Sequence, residues 1–207
     1  MVHKSERPRG RPRAYDPDQA LARARDAFWQ GGFSGTSLDE LAAATGMNRP
    51  SLYAAFGDKR ALYLEALRRT KDGLLAGTSA AMAAPGGLKA NLELFFGKAI
   101  DAYLAGDGEA RGCFVIGTAL TEAVGDPDIK AILHETFTGL DSRLAERLER
   151  ARAEGELPAD ADVEALGYLL SAAVHGLAMR SRAGEPREAL EGWARGAINH
   201  VTSLRRA

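Results

Sequence analysis

The chain has one cysteine, Cys113, in 207 residues, so an internal disulfide framework is excluded and a reducing compartment is expected. Aromatic residues make up only 7%. No apolar run is long enough to span a bilayer; the greasiest, Leu166–Met179, is short and interrupted. The N-terminal MVHKSERPRGRPR has no apolar segment that could serve as a secretory signal. A cytoplasmic protein with no membrane role is expected. The four histidines and the lone cysteine show no recognisable ligand spacing, so no metal is expected. A phosphate-cradling glycine loop, a nucleophile elbow and a paired acid constellation are all missing, so neither an enzyme nor a cofactor is expected.

A hydrophobic content of 45% suits a compact protein of one or two small domains with a sizeable core. The net charge is only −1, but it is unevenly placed. Residues 1–60 hold ten Lys/Arg against seven Asp/Glu, and residues 1–13 alone hold five against one. Within that stretch, Arg9-Gly10-Arg11-Pro12-Arg13 has the form of an AT-hook core, an extended peptide whose arginines Arg9, Arg11 and Arg13 fit the narrow minor groove of A·T-rich DNA. The competing reading is a solubilising tail. Local charge, more than the overall balance, bears on nucleic acid.

Between Thr36 and Lys59 the chain reads TSLDELAAATGMNRPSLYAAFGDK. Ser37 with Glu40 three residues on makes a capping box ahead of apolar Leu38, Leu41 and Ala42. Gly46 supplies the left-handed conformation that ends this helix. Asn48 caps a second, short helix with Pro50 in its first turn, and Gly57-Asp58 closes it and caps the next. That spacing is a helix-turn-helix, whose second helix lies in the major groove with its N-terminal residues at the base edges.

Helical patterns recur on either side. Asp16-Pro17-Asp18-Gln19 opens a helix with Leu21, Ala24 and Phe28 on one stripe, ending at Gly31-Gly32. Asp58 opens a long helix through Leu74, and the break at Pro85-Gly86-Gly87 follows. Further helices are predicted over Leu88–Ala105, Cys113–Val124, from the Asp126-Pro127 cap to Gly155, over Val163–Arg182 and over Pro186–Leu204. The organisation read from this is a flexible basic arm at 1–14, a DNA-binding domain at 15–70 and a second domain at 71–207.

The first 70 residues closely resemble the DNA-binding domain of the TetR/AcrR family of transcriptional regulators: FWQGGF, GTSLDELAAATGM and NRPSLYAAFGDKRALYLEAL follow one another without gaps. The rest resembles the family only in length, helical pattern and an RGCF segment. The resemblance implies an all-α protein of about nine helices, with a three-helix N-terminal DNA-binding domain and a C-terminal helical ligand-binding and dimerisation domain. It implies a homodimeric repressor on a palindromic double-stranded operator, released by a small-molecule effector whose identity is open. Thr36, Ser37, Asn48, Arg49, Pro50, Ser51, Tyr53 and Lys59 are the DNA-contacting residues it carries over. Arg49 reaches base acceptors, Ser51 and Tyr53 reach phosphate or thymine methyls, and Lys59 reaches phosphate. For Tyr53 the alternative is half-buried packing, and for Asn48 it is capping.

In the second domain, Phe95, Tyr103, Cys113, His134, Phe137, Tyr168, His175 and Met179 are candidates to line an effector cavity, against the alternative that all are ordinary core. Cys113 follows Arg111 near a helix start, where positive charge and the helix dipole favour a thiolate sensor; the plainer reading is a small buried hydrophobe. Leu190, Ala194, Ala197, Val201 and Leu204 form a seam on the last helix, and Gly167 and Ser171 are small residues on the helix before it. The family dimerises through these two helices, so the seam is assigned to the dimer interface, with intrachain core as the alternative. An effector-independent DNA-architectural protein is the second functional reading, opposed by some 130 residues of helical core.

Overall fold

The computed structural model describes residues 16–105 and 111–204. The expectations placed on the basic arm, Arg9, Arg11 and Arg13 included, lie outside the described residues. Among the described residues the chain is all helical: α1 (Pro17–Gly35), α2 (Leu38–Thr45), α3 (Arg49–Phe56), α4 (Lys59–Ala83), α5 (Leu88–Leu104), α6 (Phe114–Glu122), α7 (Pro127–Ala153), α8 (Val163–Arg182) and α9 (Arg187–Thr202).

Caps set most of these starts. The Asp16 carboxylate accepts from the amides of Asp18 and Gln19 at 3.0 and 3.4 Å, with Pro17 in the first turn. Both halves of the Ser37/Glu40 capping box form, at 3.2 and 2.6 Å. Asp58 accepts from the Ala61 amide at 2.7 Å and starts α4. The first helix departs from expectation: instead of ending at Gly31-Gly32 it bends at Gly32, where φ is 71° and ψ 174°, and resumes to Gly35. The left-handed φ admits glycine without strain, and the Thr36 hydroxyl fixes the bend by donating to the Gly32 carbonyl at 2.6 Å.

Helix α1 packs on α2, α4 and α6, while α3 touches only α2 and α4 among the closer helix pairs. Leu41, Met47 and Leu52 are buried beneath the turn, each contributing about 1.5–3 kcal/mol to its closure. The 25-residue α4 runs unbroken through the expected boundary at residue 70 and packs further on against α5, α6 and α7. Helix α7 packs on α8 and α8 on α9, with α5 against α8 and α9.

An aromatic junction joins the N-terminal helices to the rest. Tyr63 of α4 is fully buried, with ring centroids 5.0 Å from Phe28, 4.9 Å from Phe33 and 6.1 Å from Phe114, and its hydroxyl is 2.7 Å from that of Thr118 on α6. Burial pushes the phenol up to about 12. Trp29 stacks on Phe114 at 5.8 Å and donates its indole N–H to the Arg111 carbonyl at 3.0 Å. At the surface Arg60 forks onto Asp126 (2.6 and 2.8 Å) and reaches Asp128 (2.7 Å).

A second polar contact holds the far end. Helix α5 starts at Gly87, which has no side chain to cap it; the Glu156 carboxylate accepts from the Leu88 amide at 2.6 Å instead. The same carboxylate takes the buried Arg147 guanidinium at 2.7 Å, and Arg147 also donates to Asn91 at 2.6 Å. Burial pushes the Glu156 carboxyl up, but Arg147, the Leu88 amide and the Arg150 charge together leave it below the usual glutamate value. Arg147 Nη1 has no partner among the described residues. Replacing Glu156 with Ala should therefore strand a buried cation and uncap α5, lowering stability in urea unfolding at pH 7 by about 2–4 kcal/mol. Because the folded carboxyl is depressed, the difference between wild type and mutant should be full above pH 4.5 and vanish as pH falls through the folded value.

Candidate nucleic-acid interface and effector cavity

The N-terminus of α3 is presented to solvent by the packing of Leu52 inward. Asn48 is exposed and caps α3, its side-chain oxygen accepting from the Ser51 amide at 2.9 Å. Arg49 and Pro50 are exposed in the first turn, Ser51 is half-buried, and Tyr53 is 47% exposed one turn on. This turn therefore offers a guanidinium and a phenol four residues apart on one helical face, with the half-buried Ser51 hydroxyl on another side, groups of the kind that reach base edges and phosphates. Arg49 is not free: its Nε donates to Asp39 at 2.8 Å and an Nη lies 2.5 Å from the other carboxylate oxygen. The hydrogen bond and charge of Arg49 hold the Asp39 carboxyl below its ordinary value. Asp39 sits in the first turn of α2, ten residues from Arg49, a spacing that carries no sequence signal.

Three carried-over residues are placed differently from the rest. Thr36 is buried at 3% exposure, its hydroxyl committed to the Gly32 carbonyl, so its side chain lies under the bend rather than on the open face. Ser37 is exposed but occupied by the capping box. Lys59, half-buried, sets its ammonium 4.6 Å from the centre of the Phe33 ring at the start of α4.

Behind the junction lies a cavity of about 440 Å³ between α1, α4, α5, α6, α7 and α8. Of the expected lining residues, Phe95, Tyr103, Cys113 and His175 are on its wall. His134, Tyr168 and Met179 are exposed and off it: Tyr168 donates to Glu164 at 2.7 Å one turn back along α8, and Met179 is 60% exposed. Phe137 is half-buried behind His175, ring centres 5.0 Å apart, and is not on the wall. Sequence reasoning missed Trp29, Leu74, Phe114, Leu140 and Val174, which also line it. Gly112 brings this region against α8. At φ 65°, it sits where a Cβ would fall 2.4 Å from the Ala178 carbonyl oxygen. Cys113 is buried, as the plainer of its two readings has it, and burial raises the thiol, outweighing the amides of Ile116 and Val115. Arg111 instead turns to Asp26, at 3.7 Å, and to the Trp29 face.

The seam expected on α9 is largely internal. Leu190, Ala194 and Val201 are buried within this chain, on a helix packed against α5 and α8, while Ala197 and Leu204 are half-buried. Gly167 and Ser171 are buried too, Gly167 facing α7 beside Ala145. The spacing of the seam is correct for helix packing, but the partners are the chain's own helices. The outer face of the same two helices carries a groove of about 810 Å³ with Leu169 and Trp193 each 55% exposed, Gly176 and Gly196 between them, and Arg180 stacked 4.1 Å over the Trp193 ring. Among the described residues no helix is long and apolar enough to cross a membrane and no cluster of metal-ligating side chains occurs.

The Arg49–Asp39 pair makes a testable statement about readout. Arg49→Ala should weaken preference about tenfold at one base pair per half-site, whereas Asp39→Asn, which frees the guanidinium and removes a negative charge beside the exposed turn of α3, should raise affinity on all sequences while broadening preference at that position. Selection from randomised duplexes checks both; unchanged base preference in both variants would remove the pair from direct readout.

Residues 20–66 match the family model described as bacterial regulatory proteins, tetR family, and residues 90–197 match the model of the tetracyclin repressor-like C-terminal domain. The HTH-type transcriptional repressor ComR of Escherichia coli is 32% identical over 88% of this chain and 87% of its own length. An uncharacterized HTH-type regulator of Bacillus subtilis, YezE, is 31% identical over 78% and 84%. A cysteine mutant of the TetR-family regulator CifR, solved with a 26-base-pair operator duplex, is 33% identical and covers 91% of this chain and 98% of its own, with a TM-score of 0.78. With both halves of the chain matched and the helix-turn-helix in place, this protein is a member of the TetR family of transcriptional regulators.

Proposed function

We propose that the protein is a cytoplasmic transcriptional repressor that binds a palindromic operator as a homodimer and is released when a small molecule fills the cavity behind α1. The observation that carries this reading is the exposed first turn of α3, with Arg49, Ser51 and Tyr53 on a helix-turn-helix whose relative is solved on operator DNA. Residues 15–70 act as the DNA-binding unit and 71–207 as the effector and dimerisation unit, with residues 1–14 as an arm that follows the minor groove. Helix α4 belongs to both units. The cavity supports effector control because Trp29 and Phe114 line it and also hold α1 to α6. A ligand that favours one arrangement of that contact shifts the other, and the coupling is reciprocal.

Dimerisation is assigned to the outer face of α8 and α9 around Leu169 and Trp193, in place of the buried seam. This face is apolar, carries two large exposed side chains and is flanked by glycines that let a second helix pair approach closely.

Electrophoretic mobility shift on the DNA upstream of the chain's own gene tests the whole reading: wild type should give a single cooperative dimer shift. Leu169→Glu combined with Trp193→Ala should yield a folded monomer by analytical ultracentrifugation and abolish that shift at the wild-type midpoint. A double variant that stays dimeric would move the interface elsewhere, and a wild type without preference for any upstream fragment would contradict operator binding.

A further inference from the structure

The cavity's few free polar groups define what it can hold. Its three threonines have already donated their hydroxyls within helices: Thr70 to Ala66 (2.8 Å), Thr78 to Leu74 (2.9 Å) and Thr136 to Ile132 (2.7 Å). Tyr103 is different. Its side chain is more than nine-tenths buried, at 6% exposure, and among the described residues its hydroxyl has no hydrogen-bond partner. A phenol set in an apolar wall is a hydrogen-bond donor for any acceptor that enters the cavity. The His175 ring, edge-on to Phe137, likewise makes no hydrogen bond among the described residues.

Charge narrows the choice. Among the described residues no aspartate or glutamate lines the cavity, so a cation would enter without a counter-charge from them. Of the two cations on the wall, Arg25 is already paired with Asp26 at 2.8 Å, and Lys98 is exposed to solvent. Burial keeps the interior groups neutral, raising the Tyr103 phenol and the Cys113 thiol and lowering the His175 imidazole. An anion carried past these two into the interior would lose its hydration and meet only neutral groups among the described residues.

We propose that the cavity binds an uncharged small molecule with an apolar body and one oxygen acceptor, of the ketone, ester or ether class, whose oxygen receives the hydrogen bond of the Tyr103 hydroxyl. This rests on reading the cavity as the effector site. It gives that site a chemical selectivity: the body is held by Phe95, Leu140 and Val174, and the oxygen is fixed by Tyr103.

Four probes sharing one body test it on the full unmutated chain, with binding followed by calorimetry and by the chain's own tryptophan fluorescence: butylbenzene, 4-phenylbutan-2-one, 4-phenylbutanoate and 4-phenylbutylammonium. The ketone should bind about tenfold tighter than the other three. Tyr103→Phe should bring the ketone down to the level of butylbenzene while leaving butylbenzene binding as it was, which also shows that the variant cavity is intact. Tighter binding of either ion, no binding by any of the four, or ketone binding indifferent to Tyr103→Phe would overturn the assignment; the ranking in the unmutated cavity stands even where the variant fails to fold. Ketone binding that leaves operator affinity unchanged would overturn the effector reading and keep the ligand class. Operator release by an ion alone would do the reverse.

Discussion

The burial of Tyr63 is the constraint on which the rest depends. A tyrosine with no exposed surface must find a partner for its hydroxyl, and it finds Thr118 on another helix while its ring fills the space between Phe28, Phe33 and Phe114. One side chain thus joins α1, α4 and α6. Helix α1 is committed to the body as much as to the helix-turn-helix, and the short helices α2 and α3 are carried by it. Their eight residues each are too few to stand alone.

The cavity lies directly behind this junction and shares walls with it. Trp29 and Phe114 face both, and Cys113 and Gly112 lead into α6 where the Gly112 backbone is pressed against α8. In the proposed function a ligand acts through those shared side chains, because packed cores have discrete arrangements rather than a continuum of them. The pairs of Arg60 with half-buried Asp126 and exposed Asp128 lie at the surface and add little energy. They mark where α4 and α7 meet rather than holding them together.

Local signals made most of the fold legible. Capping residues, prolines in first turns and glycines at helix ends act on a few neighbouring atoms, so Asp16, Ser37, Asn48, Asp58 and Asp126 marked their helices within a residue or two. The exposed turn of α3 was legible for the same reason. What depends on three-dimensional partners was not. The α9 stripe of Leu190, Ala194 and Val201 has the spacing of any packed helix, and nothing in one helix says whether its partner belongs to the same chain. His134, Tyr168 and Met179 are residue types that line cavities, but only the rotation of α7 and α8 places them outside. The Asp39–Arg49 and Glu156–Arg147 pairs join separate helices or a helix and a loop, and no periodicity reports them.

Native-state hydrogen exchange tests the central claim that α1 is part of the body. Amides of Ala24–Phe28 should open with the same free energy as those of Leu64–Leu67 and Phe114–Thr118, while α2 and α3 open at lower cost. If α1 instead opens together with α2 and α3, leaving α4 and α6 protected, the aromatic junction does not bind the two halves and the account fails.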